Sequence, residues 1–166
     1  MFKPALVLIS AAAFISSALA SSIRELGTEF GSTDEARAML DRAIAEVKTS
    51  KSEAITKFNH NDPRFRDRDL FVFCFDAQDG KFTAHEAMVA RDVRTFQDRT
   101  GKWYGDEIYS KAEEDRVIEV TFLSPVPGST ELTSKIAYVT RIRDQVCGVS
   151  AYPRNATGGS SSSEAP

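Results

Sequence analysis

Leu70-Phe71-Val72-Phe73-Cys74-Phe75 is an unbroken run of apolar and aromatic residues. It is too short for a helix of ordinary length, and its β-branched and aromatic content suits a pleated, buried surface, so it is read as a buried strand. On its C-terminal side, Ala77-Gln78-Asp79-Gly80 supplies turn chemistry and Lys81 to His85 returns as the second arm of a hairpin. On its N-terminal side, Asn61-Asp62-Pro63 stops whatever precedes it. Between that stop and the strand, Arg64, Arg66, Asp67, Arg68 and Asp69 form a cluster of mixed sign, read as a solvated loop with local ion pairs.

Upstream of the stop, Ser32 and Glu35 have capping-box spacing, and Ala36, Met39, Leu40, Ala43, Ile44 and Val47 recur at intervals of three and four. An amphipathic helix is predicted there. Lys48-Thr49-Ser50-Lys51 interrupts the stripe, and Ala54, Ile55 and Phe58 resume it in nearly the same phase, which gives either one bent helix or two consecutive helices ending near Asn59.

Downstream, residues 87–115 are mixed, with a turn at Asp98 to Gly101 and a short helix around Asp106 to Glu113. Arg116 to Leu123 alternates, Ser134 to Arg143 alternates again, and Val146 to Tyr152 forms a last strand, so the three make an antiparallel meander. The element order predicts an α+β fold in which helices sit to one side of a single antiparallel sheet.

The ends of the chain read differently. Met1 to Ala20 carries Lys3, an apolar stretch from Ala5 to Ile15 and the small-residue exit Ala18-Leu19-Ala20, which is the pattern of a cleaved secretory signal and too short for a spanning helix. Residues 21–153 are then one exported domain, and residues 154–166, rich in Gly and Ser, form a disordered tail. No further stretch is long enough to cross a bilayer, so the mature chain is expected to have no membrane span.

Cleavage would remove one of the 21 basic residues and none of the 24 acidic ones, leaving a surface that argues against nucleic acid as a partner. Export also places Cys74 and Cys147, the only two cysteines, where a disulfide persists. From counting alone, pairing and two buried thiols stand as equal alternatives.

Catalytic chemistry finds little to work with. His60 and His85 are the only histidines, and neither cysteine lies in a motif that would lower its pKa. No nucleophile elbow, phosphate-binding loop, dinucleotide fingerprint or haem-attachment motif is present, and no histidines have metal-ligand spacing. The expectation is no enzyme, no cofactor and no metal; His60, at a helix end, is read as solvated.

Phe65 to Phe73, Asp79 to His85 and Ser134 to Val139, following a long helix, together resemble the single Cache domain, type 2. The resemblance covers roughly residues 34–152. Its elements are Asp69 to Phe73, a D-x-x-G-containing turn over Asp76 to Gly80, a strand ending in His85, the turn Asp98 to Gly101, and Lys135 followed by Tyr138. Three positions depart from the family's pattern: Val120 and Phe122 stand where a tyrosine and a tryptophan are common, and Ala90 stands for a glycine.

The resemblance implies a long N-terminal helix packed on a PAS-like five-stranded antiparallel sheet, with the first strand beside the last. That order would bring Cys74 and Cys147 onto neighbouring strands and favours their pairing. It also implies a ligand site at His85, Phe122, Lys135 and Tyr138, with Lys135 as the cation for a carboxylate and His85 as a hydrogen-bonding group near the pocket mouth.

The residues alone leave plainer alternatives open: a surface histidine, a solvated lysine, and core aromatics. Lys135 and Tyr138 are three apart, so on a regular strand they face opposite sides, and both reach one cavity only if Lys135 lies at an irregular strand start. The expected function is a stand-alone exported sensor or binding domain for a small organic ligand, a carboxylate, in the periplasm or outside the cell of a bacterium. Its signal would pass to a membrane receptor or histidine kinase. The alternative is a ligand-free module that docks onto such an envelope receptor or kinase.

Overall fold

The structure is a computed structural model and describes residues 30–153; the expected export signal and the expected tail fall outside them. Helix α1, Thr33–Thr49, begins at a complete capping box. Ser32 Oγ accepts the Glu35 amide at 3.2 Å, and the Ser32 amide donates to Glu35 Oε2 at 2.7 Å. That backbone bond is the main reason the Glu35 carboxyl is held down at about 2, with Arg68 adding to it.

Ser50 adopts an extended conformation, φ −153°, so the stripe divides into α1 and a second helix, α2, Lys51–Asn59. Of the two readings of the interrupted stripe, consecutive helices is the one observed. Both helices bury the same stripe, with Ala36, Met39, Leu40, Ala43 and Val47 continued by Ala54 and Phe58.

The sheet contains β1, Arg66–Asp67; β2, Leu70–Asp76; β3, Phe82–Ala84; β4, Ile118–Pro125; β5, Leu132–Ile142; and β6, Gln145–Ala151. Its order is β1-β2-β6-β5-β4, every pairing antiparallel, and β3 also pairs with β2. The first half of β2 pairs with β1 and the second half with β3, so both short strands share the edge opposite β6.

Six strands therefore replace the five expected. The addition is β1, in the segment read as a solvated loop. Arg68, at φ 54°, turns the chain tightly enough for Arg66 and Asp67 to pair with Phe71 and Leu70. The local ion pairs expected there are also present, among them Arg68 with Asp67 at 2.6 Å and Arg68 with Glu35 at 2.7 Å.

Alternation gives the sheet two packed faces. Leu70, Val72, Cys74, Tyr138, Cys147 and Val149 face α1 and α2. The opposite face carries Phe73, Phe75, Val120, Ala137, Val139 and Val146, with Val93 of a 3-10 turn, Val93–Thr95, and Ile108 of helix α3, Tyr104–Lys111, in the same cluster. Cys74 and Cys147 are directly paired across β2 and β6, with Cα atoms 4.1 Å apart, and form a disulfide. Next to it, Gly148 lies beneath Phe73: a Cβ there would sit 2.5 Å from the ring.

Candidate functional site

On the face away from α1, the strands and the segment between β3 and β4 border a half-open cavity of about 180 Å3. Its floor follows from strand parity. Phe71 and Phe73 of β2, Ser150 of β6, Lys135 of β5, and Phe122 and Ser124 of β4 all project to this side. Phe82, His85, Met88, Phe96, Tyr104 and Ile108 form the opposite wall.

That wall is held by specific contacts. Asp98 Oδ1 accepts from the Thr100 hydroxyl at 2.6 Å, the Thr100 amide at 2.9 Å and the Lys102 amide at 3.1 Å, while Oδ2 accepts the Leu123 amide at 3.0 Å. These bonds, the Thr100 hydroxyl first, hold the Asp98 carboxyl at about 2. Asp98 thus fastens the loop before α3 to β4, and Tyr104 stacks on Phe122 with ring centres 4.2 Å apart and planes within 9°. Gly105 lets α3 approach the 3-10 turn: a Cβ there would lie 1.9 Å from the Val93 carbonyl oxygen.

Lys135 pairs with Phe122 in a regular ladder, three residues into β5. Its ammonium lies 4.4 Å from the centre of the Tyr152 ring, and no carboxylate among the described residues makes an ion pair with it. Burial pushes its pKa down, opposed by the charges of Asp69 and Glu86. Asp69 accepts the Gly31 amide at 2.7 Å through Oδ1, while Oδ2 is buried with no hydrogen-bond partner among the described residues.

His85 follows β3 and packs edge-on against Phe71 and Phe82, at 5.1 and 4.9 Å. Its Nδ1 accepts the Ala87 amide at 3.1 Å, which in the neutral ring places the proton on Nε2. Desolvation lowers its pKa from 6.5, with Glu86 acting the other way.

The structure therefore brings His85, Phe122 and Lys135 to one cavity and leaves Tyr138 out. Tyr138 is buried against α1, where the Arg37 guanidinium lies 4.3 Å from its ring centre. The reason is the odd spacing: β5 is regular from Leu132, so Lys135 and Tyr138 fall on opposite faces.

Phe71 and Phe73 were legible in outline, since alternation along the apolar run puts them on one face. Asp98, read only as a turn residue, also reaches a distant strand, which no local pattern signals. His60 sits at the end of α2 with its Nδ1 2.7 Å from the Thr56 carbonyl oxygen. Among the described residues no three His, Cys, Asp or Glu side chains converge to hold a metal, and no helix is long and apolar enough to cross a membrane.

No family model matches the chain, and no curated protein sequence matches it significantly. Solved structures do. A methyl-accepting chemotaxis protein from Vibrio parahaemolyticus is 14% identical, with 82% of this chain and 95% of that one covered and a TM-score of 0.57. A periplasmic sensor domain of a chemotaxis protein is 19% identical over 82% and 99%, with a TM-score of 0.51. A Cache chemosensory domain described for carboxylic acid recognition is 16% identical over 80% and 93%, with a TM-score of 0.48. At these identities the likeness is one of fold: a helical layer on an antiparallel sheet.

Proposed function

We propose that this chain is an extracytoplasmic sensor or binding domain that captures a small organic acid in the cavity beside the sheet. The cavity carries the reading. It has apolar walls with few polar groups, and among the described residues its one lining cation, Lys135, has no carboxylate partner, which is the arrangement that fixes the orientation of a small anionic ligand.

An oxidising compartment suits the disulfide, and the export pattern at the N-terminus agrees with it. The fold is similar to that of a methyl-accepting chemotaxis protein and of a periplasmic sensor domain of a chemotaxis protein. The signal would pass to a membrane receptor or histidine kinase in the envelope. Chemistry on the ligand is no part of this reading.

Thermal-shift screening against small carboxylates tests it. A ligand at 100 times its dissociation constant raises stability by about 2.7 kcal/mol, a clear rise in Tm. A broad panel of organic acids with no member shifting Tm would sink the proposal.

A further inference from the structure

Six aromatic rings, those of Phe71, Phe73, Phe82, Phe96, Tyr104 and Phe122, line a cavity whose floor holds a single ammonium. From this composition, and resting on the proposed binding role, we infer that the ligand is a one-ring aromatic monocarboxylate of the benzoate class.

Size comes first. An apolar cavity of about 150 Å3 takes up a benzene ring, and the present one, at about 180 Å3, has room for a ring with a carboxylate attached. A two- or three-carbon acid would leave most of the ring walls without partner atoms and would forfeit their dispersion contacts. The walls also suit a flat guest, because aromatic pairs favour offset or edge-to-face contact with several rings at once.

Charge comes second. Lys135 is the one cation among the described residues that line the cavity. Arg66 is paired with Glu86 at 2.5 Å, Arg94 with Asp92 at 2.6 Å and Lys102 with Glu107 at 2.9 Å. Arg91 lies outside, exposed, with its guanidinium 5.1 Å from the centre of the Phe96 ring. A second carboxylate, or the ammonium of an amino acid, would find no oppositely charged partner among the described residues that line the cavity and would exchange its hydration for phenyl rings and His85. Ser124 and Ser150 are hydroxyls on the same floor as Lys135, and the Nε2–H of the neutral His85 ring is a further donor on the opposite wall.

The test is calorimetric titration of the full chain with benzoate, acetate, succinate, phenylalanine and benzyl alcohol, repeated on Lys135→Met. Benzoate is expected to bind at least about tenfold more tightly than acetate, succinate or phenylalanine. Lys135→Met should weaken benzoate by about tenfold or more and leave benzyl alcohol, the uncharged ring probe, unchanged.

Tighter binding of acetate, succinate or phenylalanine overturns the ligand class and leaves the sensor reading standing. Benzoate binding that ignores Lys135→Met overturns the carboxylate assignment. Binding by no member of this panel overturns the ligand class, and silence across the wider acid panel overturns the sensor reading as well. If the variant loses benzyl alcohol too, its cavity has collapsed, and the wild-type rank order decides the matter alone.

Discussion

His85 stands between two environments, the phenyl rings that desolvate it and the carboxylate of Glu86. Its native pKa lies below the ordinary 6.5, so between the two values the unfolded chain binds more protons than the native one, and stability rises with pH. The contribution is complete above 6.5 and is lost as pH falls from there through the depressed native value. Urea midpoints at pH of about 7.5 and about 5.5 should therefore differ more in the wild type than in His85→Gln. An equal difference in the two proteins would remove the burial argument.

Gly105 makes a second test at this scale. With the Val93 carbonyl 1.9 Å from the place a methyl would occupy, Gly105→Ala should cost about 1–3 kcal/mol by urea unfolding, although alanine is the better helix former. A neutral or stabilising result would mean that α3 is not seated as described.

At the scale of elements, the disulfide between β2 and β6 closes a long loop, its cysteines 73 residues apart in sequence. In the chain-entropy account it stabilises the fold by about 4 kcal/mol, so the double variant Cys74→Ala/Cys147→Ala should unfold at a markedly lower guanidinium concentration. Unreduced, denatured protein should show no free thiol; two titratable thiols would remove the bond. In the helical layer, Ser32→Ala should cost about 1 kcal/mol by loss of the cap.

The elements legible in the sequence are those whose residues repeat with a strong local period. The capping box and the three-and-four stripe gave α1, and strict alternation gave β4 and β5. Strand β1 was hidden because two residues show no period, and only the left-handed turn at Arg68 creates the pairing. The helix read around Asp106 to Glu113 begins earlier, at Tyr104, because Asp98 and Lys102 anchor its approach to β4, a tertiary effect. The resemblance puts Tyr138 at the cavity, whereas strand parity turns it to the helix face, and parity prevails.

The whole molecule divides its tasks between the two sides of one sheet. The helix side is closely packed around Met39, Leu40, Leu70 and Val149, while the other side keeps a hollow under shorter and less regular elements. Which side would be hollow was not legible in the sequence, because both faces of β2 are apolar and the hollow depends on how residues 85–108 return to the sheet.

Strand order has a consequence for assembly. Among the described residues, Gln145–Ala151 is the last strand yet lies between β2 and β5, and it is the only one to pair with both halves of the sheet. A chain cut at residue 144 would possess every wall and no keystone: the helices with β2 on one side, the β4–β5 hairpin on the other, and side-chain contacts but no strand ladder to join them. Partial chains should thus remain open to proteases until the final strand arrives, and maturation should then proceed in one cooperative step.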